Sequence, residues 1–268
     1  MLKTRLLAAA VLMPAAIAWV WLAPLWLFAL VAGLVVLGGA WEWGGLASAG
    51  GAAGRVAYAA VTGALMALSW FAVGRPALRF ALLCAFLAFW LAMMLTLRVG
   101  AVGPRPGRAG TLVQGWLVLV PAFFALVVVR RGPGGPALAF TALGIVWAAD
   151  AAAYFAGRAW GRHKLAPALS PGKTWEGAAG ALAAAAATGA LASLWSPVGI
   201  PVLVPLAAGA AVFSIVGDLA ESRLKRLAGA KDSGSLIPGH GGILDRVDSI
   251  TAAAPVFALG LELARRAW

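Results

Sequence analysis

An all-α fold, a polytopic bundle of transmembrane helices with a polar catalytic cavity facing the cytoplasm, is what this sequence predicts, and three observations predict it. Of 268 residues, 63% are hydrophobic and only 11% charged, where a soluble domain carries about 25% charged residues. Apolar runs near the roughly 20 residues needed to cross a bilayer recur along the whole length. Short segments bearing Arg, Gly and Pro separate these runs. One integral membrane domain over 1–268 is expected, with 1–149 mainly membrane scaffold and 150–249 the part that carries the chemistry.

About nine spans are expected, beginning near Leu6, Pro24, Val56, Leu78, Leu112, Ala137, Glu176, Pro201 and Ile250, each about 17 to 20 residues long. Lys3 and Arg5 ahead of the apolar stretch Leu6–Leu22 resemble the head of a secretory signal. The stretch is long for a signal core, and a second run follows directly after Pro24, which favours an uncleaved first span. With the N-terminus inside, 15 of the 21 Lys and Arg residues fall in cytoplasmic segments, and the other side keeps only Arg75, Arg79, Arg130, Arg131, Arg265 and Arg266. An excess of basic residues in cytoplasmic loops is the expected asymmetry. The tract from Ala178 to Ala192 is nearly all Ala and Gly, small side chains that let membrane helices approach closely. Trp21, Trp26, Trp70 and Trp268 fall near span ends and read as interface anchors.

Composition also excludes functions. The net charge is +12, but the arginines are spread through loops instead of forming one basic stripe, so no nucleic-acid partner is expected. Cys84 is the only cysteine and lies inside an apolar run. That removes a disulfide framework and a cysteine metal site, and packing in the core is its expected role.

Chemistry is expected late in the chain. Seven of the nine acidic residues, Asp150, Glu176, Asp218, Glu221, Asp232, Asp245 and Asp248, lie between positions 150 and 248, and Glu42 is the only one before them. Ionisable groups beside the apolar phase are costly and usually mark function. From Asp218 to Asp248 five acidic and five basic residues balance, a mixture able to hold a cation and a phosphate together. If Ala210 to Leu227 is one helix, Asp218, Glu221, Ser222 and Lys225 share a face at i, i+3, i+4 and i+7. Asp245 and Asp248 share another if the last helix starts just before them. Two carboxylates about 4 Å apart repel by about 4 kcal/mol at an effective dielectric of 20 and so need a cation between them. Oxygen-only ligands point to Mg²⁺ or Mn²⁺. His240, flanked by Gly239, Gly241 and Gly242, sits in a turn whose amides can approach an anion. Upstream, Ser170, Lys173 and Thr174 in Ser170–Gly177 supply two hydroxyls and an ammonium at an expected helix start. This segment is not a phosphate loop of the G-x-x-x-x-G-K-[ST] type, because the first glycine would fall at Pro167. Asp150, with Tyr154 and Arg158 one and two turns on, is expected mainly to support the site.

The run Ser222-Arg223-Leu224-Lys225-Arg226, then Lys231-Asp232-Ser233-Gly234, then Leu236 to Asp248, resembles the signature of the phosphatidate cytidylyltransferase family. Ser170–Gly177 and Asp150–Lys164 also look like that family, so the strong part of the resemblance covers roughly Asp150–Ser249. The first half, 1–149, agrees only in being a string of membrane helices, and the resemblance implies that it is mainly scaffold and lipid pocket. The resemblance implies transfer of the cytidylyl group of CTP to phosphatidic acid at the cytoplasmic side of a bacterial inner membrane, Mg²⁺ dependence and a homodimer. Carried over by position, it implies that Asp218 and Asp245 are metal-binding aspartates, helped by Glu221 and Asp248. Ser222, Lys225, Lys173 and Arg246 match positions that contact phosphates or support the site. Arg226, Lys231 and His240 join Ser170, Thr174 and these as candidate substrate contacts. Competing readings are another CTP-using lipid enzyme, such as a polyprenol or phytol kinase or a CDP-archaeol synthase, and an ion-coupled transporter. The transporter predicts acids distributed through several spans or internal repeats, whereas here they cluster in one third of the chain.

Overall fold

The computed structural model describes residues 14–97, 102–104, 106–236 and 241–267. Helix α1 is described over 14–22. There follow α2 (Leu25–Leu46), α3 (Gly51–Val73), α4 (Pro76–Thr96), α5 (Arg108–Arg131) and α6 (Gly135–Trp160). A short hairpin of β1 (Lys164–Ala166) and β2 (Ser170–Thr174) intervenes before α7 (Trp175–Ala192), α8 (Ile200–Leu227) and α9 (Leu244–Ala267). The hairpin is antiparallel, pairing Lys164 with Thr174 and Ala166 with Ser170.

Seven of these helices, α2 to α6, α8 and α9, are long and apolar enough to cross a membrane, so this is a multi-pass membrane protein. Residues 6–13 of the span expected from Leu6 lie outside the described residues, as does Trp268, and the rest of that span, 14–22, is helix α1. The helix expected near Glu176 forms as α7 and is not among the seven. Two helices form the centre: 67% of the most apolar stretch of α5 and of α9 is buried, against 28% for α3 and 17% for α4, which lie outermost.

On that outer surface Cys84 of α4 is exposed. It therefore does not pack in the core as expected; the helix turns its thiol outward, where an apolar run on a peripheral span meets lipid. Trp21, Trp26 and Trp70 are exposed as anchors would be, whereas Trp43 is buried and its indole N–H donates to the Thr111 carbonyl at 2.8 Å. The Ala/Gly tract does bring backbones together. A Cβ on Gly180 of α7 would stand 2.6 Å from the Ala156 Cβ of α6, and one on Gly189 would stand 2.7 Å from the Leu203 carbonyl oxygen of α8.

The α8 helix has 28 residues, about 42 Å at 1.5 Å per residue. That exceeds the roughly 30 Å apolar thickness of a bilayer. The surplus is polar and runs from Asp218 to Leu227. The last helix starts at Leu244, earlier than the apolar run at Ile250, so its first two turns are polar as well.

Candidate active site

On α8 the helical period delivers the expected face. Ser222 Oγ donates to Asp218 Oδ1 at 3.3 Å, and Lys225 Nζ lies 3.5 Å from Glu221 Oε2 and 2.7 Å from Asp245 Oδ1 on α9. Lys225 is thus the cation between two crowded carboxylates. Glu221 is buried, and neither of its side-chain oxygens has a hydrogen-bond donor among the described residues. Asp245 is the hub of the segment before α9. Besides Lys225 it accepts from the Ser233 N–H at 3.0 Å, the Ser233 hydroxyl at 2.9 Å and the Gly242 N–H at 2.9 Å. A carboxylate in the first turn of a helix is further favoured by the partial positive charge of that end.

A second carboxylate at the same helix end comes from the far side of the sequence. Glu42 of α2 is 1% exposed. It accepts the Ile243 N–H on Oε1 at 3.0 Å, and the Leu244 N–H at 2.8 Å and the Ser233 hydroxyl at 3.0 Å on Oε2. It satisfies amides that begin a helix and have no intrahelical acceptor. The backbone here admits no side chain: a Cβ on Gly234 or on Gly242 would stand 2.5 Å from a Glu42 oxygen. Sequence reasoning gave Glu42 no role. The available signal was its isolation, one acid in an otherwise apolar helix.

The other wall is built by the hairpin. The strands turn back at Leu169, whose carbonyl accepts from Arg226 Nε at 3.3 Å. Ser170–Thr174 is a strand that leads directly into the expected helix start: the helix begins at Trp175, and Thr174 caps it by accepting the Gly177 N–H on Oγ1 at 3.1 Å. His163 Nδ1 lies 2.7 Å from Glu176 Oε1, tying the hairpin to α7 and holding the Glu176 carboxyl below the usual range, at about 2. Lys173 reaches across to α8, its Nζ 2.5 Å from Asp218 Oδ2.

These walls enclose a cavity of about 650 Å³. It is lined by Ser170, Lys173, Thr174, Asp218, Asp245 and Asp248, all expected at the site, and by Asp150, Tyr154, Arg158 and Ser249. Arg158 Nη1 donates to the Tyr154 hydroxyl at 3.0 Å. Ser222, Lys225 and Glu221 stand behind the wall, holding Asp218 and Asp245. Arg226 supports the hairpin turn, Lys231 and Arg246 are exposed and outside this lining, and His240 lies outside the described residues. Arg223, in the same basic run, anchors the 102–104 segment through the Val102 carbonyl at 2.8 Å and the Pro104 carbonyl at 3.1 Å.

Among the described residues no three acidic or imidazole groups converge into a ready-made metal cage. Asp150, Asp218 and Asp248 nevertheless present oxygen donors to one cavity that also holds Lys173. That donor set fits Mg²⁺, which keeps its waters and takes one or two carboxylates with substrate phosphates.

Comparison with known proteins places this geometry in context. Residues 3–264 match the model of the cytidylyltransferase family. The chain is 47% identical over 263 residues to a phosphatidate cytidylyltransferase of Pseudomonas aeruginosa, covering 96% of each. It is 48% identical over 120 residues to one of Haemophilus influenzae, 42% of each chain, and 42% identical over 126 residues to one of Bacillus subtilis, 46% of this chain and 47% of that one.

Proposed function

The chain belongs to the cytidylyltransferase family, and from that premise we propose that the cavity between α6, the hairpin, α7, α8 and α9 is where CTP and phosphatidic acid react to give CDP-diacylglycerol and pyrophosphate. The observation that carries the assignment is the meeting of Lys173 with Asp150, Asp218 and Asp248 in a cavity of about 650 Å³. Its size falls within the usual range for ligand sites, and it lies within a bundle of membrane helices.

The phosphate of phosphatidic acid is already an anionic nucleophile. An oxygen of it bonds to the α-phosphorus of CTP, and the bond from that phosphorus to the bridging oxygen of the β-phosphate breaks, releasing pyrophosphate. No serine, cysteine or histidine nucleophile is required. The demand on the protein is charge, because two anions must approach. Lys173 and Arg158 place positive charge on the cavity wall, and preorganised charge of this kind is worth most where water is scarce. Ser222 orients Asp218, and Lys225 fixes Asp245, so both carboxylates are held before substrate arrives. Mg²⁺, or Mn²⁺ in its place, would be held by Asp218 and Asp248 with Asp245 and Glu221 in support, and when bound it neutralises and polarises phosphoryl oxygens. The charge asymmetry of the loops supports a bacterial inner membrane setting with the cavity toward the cytoplasm.

The test is to supply purified protein with phosphatidic acid, Mg²⁺ and CTP labelled with ³²P at either the α or the γ position. Cytidylyl transfer sends α label into lipid and γ label into pyrophosphate. A kinase reverses this, carrying γ label into lipid, and that result would sink the proposal.

A further inference from the structure

Charged residues outside the catalytic cavity gather at the opposite end of the bundle. Arg79, Arg131 and Arg265, three of the six basic residues that the charge asymmetry leaves on the non-cytoplasmic side, line a second cavity of about 330 Å³ with Gly74 and Gly132. It forms where α3, α5 and α9 end and α4 begins. Along α9, Arg265 is about 30 Å from Asp245 at 1.5 Å per residue, so this is not an annex of the catalytic cavity.

The acid at this end is Glu262, whose side chain is 6% exposed. It takes two bonds from Arg79, at 2.9 and 3.2 Å, and lies 4.0 Å from Arg265 and 3.8 Å from Arg266. One carboxylate faces several guanidinium groups and is already satisfied by Arg79. Helix carboxyl ends supply some compensating negative character, and Arg79 uses it, donating to the Val73 carbonyl at 2.9 Å. The Arg131 side chain makes no hydrogen bond or ion pair among the described residues. The backbone leaves seats for these groups: a Cβ on Gly74 would stand 3.2 Å from Arg131 Nη1, and one on Gly132 would collide with the Arg265 guanidinium.

We propose that this cavity binds a phosphate group, with Arg131 and Arg265 as the principal contacts. Guanidinium groups match phosphate oxygens in forked pairs, and basic pockets between membrane helices are suited to lipid headgroups. The same ends of α3 and α4 expose Phe71 and Leu78, apolar neighbours appropriate for acyl chains. The group is the headgroup of an anionic phospholipid or free phosphate, and the experiment separates the two.

Full-length protein is examined by native mass spectrometry with phosphatidylglycerol, and by thermal unfolding in neutral lipid with inorganic phosphate. Wild type is compared with Arg131→Gln and Arg265→Gln, which keep the Arg79–Glu262 pair. Arg55→Gln, which removes a charge elsewhere, is the control. Retained phosphatidylglycerol is expected to fall about tenfold, equivalent to about 1.4 kcal/mol, in both variants and not in the control. That loss assigns a lipid headgroup. A stabilisation by inorganic phosphate that both variants lose, with lipid retention unchanged, assigns free phosphate. Equal lipid retention and equal response to phosphate in wild type and both variants would overturn the proposal.

Discussion

Two carboxylates divide the work of starting α9. Asp245 faces the cavity and is fixed by Lys225, Ser233 and Gly242, while Glu42 holds Ile243, Leu244 and Ser233 from behind. Asp245→Asn is expected to lower cytidylyl transfer by about 10² to 10³, the usual loss when a preorganised electrostatic group is removed. The Lys225→Met variant should lose a similar factor, and the double variant little more, because the two share one ion pair. Label transfer with purified proteins checks this; fully additive losses would show that the residues act separately. Glu42→Ala leaves the Ile243 and Leu244 amides without their acceptor, at about 1 to 3 kcal/mol for each that stays buried, while the Ser233 hydroxyl keeps Asp245. It is expected to lose at least tenfold in rate together with thermal stability, and Glu42→Gln, which keeps an acceptor of the same reach, is expected to recover part of both.

Helices α6 and α7 carry the cavity on surfaces that touch almost backbone to backbone. Gly180→Leu would drive a side chain into Ala156, and overpacking of this kind costs about 1 to 3 kcal/mol or more. The expected result is a protein that unfolds at lower temperature and binds CTP poorly, read by thermal unfolding and by the KM for CTP. Thr174→Ala removes the cap of α7 and should cost about 1 kcal/mol. Its effect on transfer should be smaller than that of Lys173→Ala, which removes the ammonium facing Asp218. The face Asp218, Glu221, Ser222 and Lys225 was legible beforehand, since a period of 3.6 needs only local helicity. The hairpin was not, because its two strands number three and five residues and carry no alternating apolar pattern.

For the whole molecule, metal dependence, orientation and exposure to lipid can each be measured. Chelation of divalent ions should abolish transfer, and Mg²⁺ or Mn²⁺ should restore it; activity unaffected by chelation would remove the metal from the reading. The orientation can be measured with a single-cysteine series. In a Cys84→Ala background, Ser235→Cys and Pro133→Cys are expected to react with an impermeant maleimide from opposite sides of the membrane, Ser235→Cys from the cytoplasm. Cys84 itself, exposed on an outer span, should resist that reagent in intact membranes and react once detergent strips the lipid.

The membrane class, the helices and the gathering of acidic residues late in the chain are legible in the sequence alone. Hydropathy over about 20 residues and the scarcity of acids are local properties, readable without knowing what touches what. Which carboxylates face the cavity and which are held behind it, with Asp150 on the wall, follows from how the helices pack. The same is true of Glu42, which closes the site across more than 190 residues, because packing between distant helices, and no feature of spacing along the chain, sets which groups meet.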